Sequence, residues 1–333
     1  VILGASAYLL RRRVSKKWID LRKTNKTDLS GKTFIITGGN TGLGYEVAKD
    51  FSRRNARNVA IACRDDEKGR EAVRSIVRAT GKDNVECLNL DLASLASVKD
   101  FINKVRSEAK YSSVHGLVCN AGVWIPEDEK KIHRTKDGLE MHFGVNHLSH
   151  LLLSTGLTEQ LSASGDGRIV FVSSSLMKSG QIDMEDRGFV RDVRKINEEK
   201  SSSFGPPAAY CDSKLMNVLT CKHLSTLLPP SVTTYAVCPG FCRSSLGRNV
   251  QTRFYQRLLL APVMLMIQRS SQLGAQNIIF AAIEDKDRLK NGTLYKDGEV
   301  AEEHMDYVAS FGDDLPRQFF ELSEGLIREI LGD

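Results

Sequence analysis

The chain has no C-x-x-C pair, and its seven cysteines (Cys63, Cys87, Cys119, Cys211, Cys221, Cys238 and Cys242) are scattered and odd in number. That pattern excludes a zinc ribbon and a thioredoxin-like motif, and it offers no disulfide framework. Most of these thiols fall in apolar segments, where cysteine behaves as a small buried hydrophobe, as suits a reducing compartment facing the cytosol. The sequons at Asn25 and Asn291 are then accidental. Prolines number only 8, which argues against long disordered tracts. Neither a repeat period nor a low-complexity block is present, so solenoids and arrays are not expected. Net basic charge is confined to one place. Residues 11–26 hold eight Lys/Arg against the single Asp20, and the net charge of +6 for the chain leaves about −1 for the rest. No basic face is demanded, and nucleic acid is not expected as a partner.

Long apolar runs are also missing near the start. The opening "VILGASAYLL" is ten residues, and ten helical residues rise only about 15 Å against a bilayer core of roughly 30 Å. The chain begins with Val, and we read 1–30 as the remnant of a membrane anchor followed by a basic linker on the cytoplasmic side. A cleaved secretory signal would carry its charges before the apolar run, and a frayed amphipathic leader is the plainer alternative. The reading implies membrane association, at the endoplasmic reticulum with the remainder facing the cytosol, or at a mitochondrial membrane. Residues 31–333, in a chain that is 41% hydrophobic, are expected to form one domain.

From residue 33 onward short β-rich runs alternate with helical patterns. The strands expected are 33–37, 58–63, 85–90, 116–120, 168–173, 233–238 and a shorter one at 292–296. Most are continuous apolar runs, the mark of strands buried on both faces. Helical patterns cover 43–54, 66–79, 94–108, 137–160, 207–228 and 270–284. The order predicts an α/β fold, a doubly wound parallel sheet with helices on both faces and all strand C-termini along one edge. Two long polar or irregular stretches, 175–206 and 241–268, follow late strands and are expected to be substrate insertions at that edge.

The stretch "TGGNTGLGYE" lies between the first strand and first helix. Gly38 allows the turn, Gly42 lets backbone approach a pyrophosphate, and Gly44 permits close helix–strand packing. The spacing is G-x-x-x-G-x-G, so taken alone it separates a nucleotide site from a structural turn only weakly. At the end of the second strand, "ACRDDEKG" offers Cys63 and then Arg64 where an acidic residue would hold a ribose 2′-OH. A small residue followed by a guanidinium favours a 2′-phosphate, with Lys68 as a helper. Further on, "AAYCDSKLMNVL" sets Tyr210 and Lys214 four residues apart on a helix, with phenol and ammonium on one face. A phenol ordinarily titrates near pH 10, and a neighbouring ammonium would lower that value toward useful acid–base chemistry.

"GLVCNAG" ends another strand with Asn120, Ala121 and Gly122; "NLDLAS" carries Asp91, "RIVFVSSS" ends in hydroxyls, and "VCPGFCRSS" carries Pro239 and Gly240. With these motifs in this order the chain resembles the short-chain dehydrogenase/reductase family over roughly residues 30 to 300. The resemblance implies a nicotinamide dinucleotide cofactor seated on Gly38, Asn40, Thr41, Gly42, Leu43 and Gly44. It implies that Tyr210 is the proton donor or acceptor, and that Lys214 binds the nicotinamide ribose and lowers the phenol's pKa. Ser174 would hydrogen-bond the substrate oxygen, with Ser173 and Ser175 as close rivals. Asn146 would hold a water beside the lysine in a proton relay. Asp91 would contact adenine, Asn120 with Ala121 and Gly122 the cofactor ribose region, and Pro239 and Gly240 the nicotinamide. Ser244 stands where the family often has a threonine.

Two departures matter. Members that prefer the phosphorylated cofactor often carry a basic residue before the second loop glycine, but here Thr41 stands there, so Arg64 must select NADP(H). The spacing from Ser174 to Tyr210 is also longer than usual. Within the family, "YCDSKLMNVL", "VNHLSHLLL" and the basic-flanked leader look most like the membrane-associated retinol dehydrogenase group. That similarity implies interconversion of a lipophilic alcohol and its carbonyl, most of all retinol and retinaldehyde. Alternatives are steroid, fatty-aldehyde or xenobiotic carbonyls, or a dinucleotide-holding scaffold without catalysis. The apolar stretch 257–267 fits a greasy substrate, a membrane-facing element or an ordinary core helix. His142, His147 and His150 are read as packing or capping residues, no metal is expected, and a homodimer is left open.

Overall fold

The computed structural model describes residues 18–21, 25–126, 132–182, 184, 207–242 and 268–332. The apolar leader, most of both insertions (including 257–267) and Ser244 lie outside them. Eight strands form one sheet: β1 (Thr33–Thr37), β2 (Asn58–Cys63), β3 (Val85–Asn89), β4 (Gly116–Cys119), β5 (Gly167–Val172), β6 (Val232–Val237), β7 (Thr293–Lys296) and β8 (Glu299–Val300). Their spatial order is β3-β2-β1-β4-β5-β6-β7-β8, parallel throughout except that β8 turns back antiparallel on β7. Chain order reverses between β1 and β4, where open α/β sheets leave a ligand crevice at the strands' C-terminal ends.

Helices α1 (Gly42–Arg53), α2 (Asp66–Thr80), α3 (Leu95–Ser107), α4 (Ser149–Gly156), α5 (Thr158–Ser162), α6 (Ala208–Leu227), α7 (Ser271–Ile283), α8 (Glu302–Ala309) and α9 (Leu315–Leu331) cover the sheet. Strand alternation divides the core between the two faces. In β1, Phe34 and Ile36 join Val47, Phe51, Ile76 and Ile278 beneath α1, α2 and α7. Ile35 points the other way, to Phe101, Leu151, Leu215 and Phe319 beneath α3, α4, α6 and α9. Burial on both faces explains the near-continuous apolar strands.

The pattern read as one helix over 137–160 is broken. A π-helical turn spans Phe143–Leu148 before α4, and Leu157 separates α4 from α5. A turn of this kind inserts one extra residue and re-aims its side chains, as happens often at functional positions. The C-terminal α8 and α9 had no counterpart in the sequence reading. The signal was present in α9: Pro316 opens it, and Phe319, Phe320, Ser323 and Ile327 form its buried stripe. Among the described residues no helix is long and apolar enough to cross a membrane.

Candidate active site

The glycine turn leaves β1 at the switch point. Gly38 (φ +65°) and Gly42 (φ +61°) occupy left-handed backbone that disfavours side chains. Gly44 answers a different need. A Cβ there would lie 2.5 Å from Asn120 Nδ2 and 2.7 Å from the Gly38 carbonyl oxygen. Helix α1 begins at Gly42, and Thr41 makes no side-chain capping bond, unlike Asp65, Ser94 and Ser270 ahead of α2, α3 and α7. The amide end of α1 thus faces the crevice as an anion seat. Replacing Gly44 with Ala forces backbone apart, so a destabilisation of about 1–3 kcal/mol is expected, measured as a lower melting temperature.

Thr37, directly before the glycines, organises the neighbouring turn. Its Oγ1 accepts the backbone N–H groups of Asn120 and Ala121, each at 2.9 Å. Asn120 Nδ2 returns a bond to the Thr37 carbonyl at 2.8 Å. His150 Nε2 is 2.9 Å from the same hydroxyl, while its Nδ1 is 3.0 Å from the Asn146 carbonyl. The carbonyl can only accept, so Nδ1 carries the proton and the Thr37 hydroxyl donates to Nε2. Burial pulls the His150 pKa down to about 4, which keeps the ring neutral in this chain of contacts. Asn146 sits in the π turn. Its Oδ1 accepts from Val123 N at 2.7 Å, and its Nδ2 donates to Val123 O (3.1 Å) and Ser213 Oγ (3.0 Å). Both amide hydrogens are thus engaged, and the Asn146 main-chain carbonyl is the partner of His150 Nδ1.

Tyr210 and Lys214 enter from the first turns of α6, both nearly inaccessible (4% and 3% exposed). Lys214 Nζ donates to the Val172 carbonyl at 2.9 Å, and it stands 5.5 Å over the centroid of the Tyr210 ring. No other hydrogen-bond acceptor engages it among the described residues, so an ammonium with three donors is held at the crevice with capacity in reserve. Burial draws its pKa down to about 8. Burial likewise raises the Tyr210 phenol, opposed by a hydrogen bond from Ser174. Burial thus works against the expected lowering of the phenol by the ammonium. The ammonium lies over the ring face rather than at the oxygen, and desolvation wins.

The three neighbouring serines separate by geometry. Ser173 donates to the Lys214 carbonyl at 2.7 Å, and Ser175 Oγ lies 3.2 Å from Cys238 Sγ. Ser174 accepts from Leu176 N at 3.2 Å, and its hydroxyl is near enough to the Tyr210 phenol to oppose the rise that burial causes. Trp124, just past Gly122, packs its indole 4.5 Å from the Tyr210 ring. His142 meets that ring edge-on at 6.2 Å and is fixed by Glu140 at 2.7 Å.

At the far end of the crevice, Arg64 is exposed at the end of β2. Asp91 is pushed up by burial but brought below its ordinary value by Lys136 at 2.9 Å, the Ala93 N–H and the nearby Arg64 charge. Lys68, expected to assist Arg64, is exposed and pairs with Asp65 at 2.9 Å. The Pro239–Gly240 turn follows β6, with Gly240 at φ +78°. A dinucleotide fits these residues, with the glycine turn at its middle and Lys214 and the Pro239–Gly240 turn at one end. Sequence reasoning missed Thr37, Ser213, Trp124 and Lys136, and it read His150 as a packing or capping residue, which its burial fits, without its link to Thr37. Of these, the Asn146–His150 spacing and the place of Thr37 before the glycines were signals it could have used. Among the described residues no cluster could hold a metal ion.

The family model for short chain dehydrogenase matches residues 32–185. Mouse retinol dehydrogenase 11 is 37% identical over 297 residues, 88% of this chain and 86% of that protein. Human retinol dehydrogenase 13 is 37% identical over 270 residues, 79% of this chain and 75% of its own. Among solved structures, L-sorbose reductase from Gluconobacter frateurii, complexed with NADPH and L-sorbose, superposes with a TM-score of 0.62 at 19% identity. That alignment covers 81% of this chain and 96% of the reductase, a likeness of fold.

Proposed function

The chain belongs to the short-chain dehydrogenase family, and on that premise we propose that it is an NADP(H)-dependent oxidoreductase interconverting a lipophilic alcohol and its carbonyl, retinol and retinaldehyde first among them. The observation that carries the reading is the convergence of Ser174, Tyr210 and Lys214 at the crevice beside the glycine turn. When bound, the nicotinamide supplies the hydride in reduction and accepts it in oxidation. In reduction, Tyr210 transfers its proton to the substrate oxygen while Ser174 donates a hydrogen bond to that oxygen. Lys214 holds a cofactor ribose hydroxyl and offsets the negative charge left on the phenol oxygen. Asn146 fixes the Val123 segment and would hold a relay water beside Lys214. Asn40, Thr41 and Leu43 offer the pyrophosphate backbone contacts; Asp91 serves adenine, Asn120 to Gly122 the ribose, and Ser244 the nicotinamide end. The names of the retinol dehydrogenase relatives support the substrate class, as does the flat indole of Trp124 against the catalytic phenol. A largely reduced NADPH pool favours carbonyl reduction. Attachment to a membrane through residues 1–30 and a single domain over 31–333 belong to the same proposal.

Cofactor choice rests on Arg64. A charge-assisted contact to a 2′-phosphate contributes roughly 1.5–3 kcal/mol, so Arg64→Ala is expected to weaken NADPH by about one to two orders of magnitude. NADH should be nearly unaffected. Fluorescence titration of both dinucleotides tests this, and equal losses would overturn the cofactor assignment.

A further inference from the structure

Behind the Pro239–Gly240 turn lies an arginine that the reaction above does not use. Arg269 is 6% exposed and sits where the chain returns to the sheet edge, its backbone N–H donating to Phe241 O at 2.8 Å. Its guanidinium forms a two-pronged ion pair with Asp297, one bond measuring 2.8 Å. Its Nη1 also reaches the Pro239 carbonyl at 3.5 Å. One face of the guanidinium presses on Gly240, where a Cβ would fall 2.8 Å from Cζ. The guanidinium also lies over the indole of Trp18, with Cζ 4.7 Å from the ring centroid.

Trp18 comes from the N-terminal segment, far away in sequence. That segment is tied down next to the same place. Leu21 N donates to Gln276 Oε1 of α7 at 3.0 Å, and Ile19 packs on Gly298 in the β7–β8 turn beside Asp297. The positive charge is already matched by Asp297, so the arrangement does not offer a phosphate site. What it does offer is a flat plate in contact with an indole and a glycine, against the turn expected to flank the nicotinamide.

We propose that Arg269 is a positioning residue for the Pro239–Gly240 turn and that Trp18 completes its seat, so that the N-terminal segment sets how firmly the nicotinamide half of the cofactor is held. The inference rests on the dinucleotide reading. The test uses the full chain and two probes, NADPH and adenosine 2′,5′-bisphosphate, which carries the phosphorylated adenosine half without nicotinamide. Trp18→Ala is expected to weaken NADPH by roughly three- to tenfold, the scale of a lost cation–π contact, and to leave the bisphosphate unchanged. Trp18→Phe keeps a ring over the guanidinium and should recover most of the loss. Arg269→Lys keeps the charge but not the plate, and should behave like Trp18→Ala. Equal loss of both probes, or an unchanged NADPH affinity in Trp18→Ala, would overturn the proposal. Failure of the wild-type chain to bind NADPH while it binds the bisphosphate would overturn the dinucleotide reading instead, and this inference with it.

Discussion

Tyr210→Phe is expected to lower kcat by roughly a thousandfold or more, the scale of a lost general acid with its proton, while NADPH binding changes little. The substitution removes one oxygen and keeps the ring, and with it the packing on Trp124 and the edge contact to His142. No backbone group loses a partner. Burial raises the phenol, with Ser174 opposing, so the tyrosine is protonated throughout the neutral range and ready to donate. Carbonyl reduction should therefore be insensitive to pH around neutrality, and alcohol oxidation should gain as alkali draws the proton off. Stopped-flow turnover paired with NADPH titration checks both parts. Residual turnover within tenfold of wild type would remove Tyr210 from the chemistry, and a parallel loss of binding would recast it as structural.

Lys214→Met should produce two opposite effects. Activity is expected to fall by at least about a hundredfold, because the ribose contact and the charge opposite the phenolate vanish together. Stability should rise. The ammonium is buried beside a single carbonyl, and its pKa falls from 10.5 to about 8 through burial, with Cys238 opposing. At about 1.4 kcal/mol per unit this is a folding penalty of order 3 kcal/mol, reduced in the variant by the loss of one bond to Val172 O. At pH 7 the lysine is charged folded and unfolded, so the penalty is complete. Above pH 8 the folded protein releases the proton while the unfolded chain retains it, and the penalty fades by about pH 10.5. Melts of both proteins without cofactor, at neutral and alkaline pH, should show the variant ahead at pH 7 and the gap closing in alkali. A variant less stable at neutral pH would contradict the account. A destabilised charge of this kind is what a binding site retains for function rather than for folding.

Much of the sheet was legible because its strands are buried on both faces and read as apolar blocks. The segments at Thr33–Thr37 and Asn58–Cys63 match their expected bounds. Local patterns carry that far and no further. The π turn at Phe143–Leu148 follows from tertiary demand, since Asn146 must meet Val123 and Ser213 from elsewhere in the chain. Periodicity alone reads straight through it. The site residues announced by motif were visible, but the contacts that set their chemistry were not. Spacing put Lys214 beside Tyr210 without revealing that it faces the ring, or that burial raises the phenol. The Thr37–His150 link joins residues 113 apart, and the seat of Arg269 joins Trp18 to Asp297; no sequence window spans either.

The central claim is a reduction of a lipophilic carbonyl at the expense of NADPH, and one substrate panel tests it most directly. The purified full chain in detergent or lipid is given NADPH or NADH with retinaldehyde and with steroid, alkyl and aryl carbonyls, and dinucleotide absorbance is followed alongside product alcohol. The account predicts one retinol formed per NADPH consumed, with retinaldehyde the best substrate and NADH far slower. A chain that binds NADPH yet reduces none of these carbonyls, or that uses NADH equally well, would contradict it.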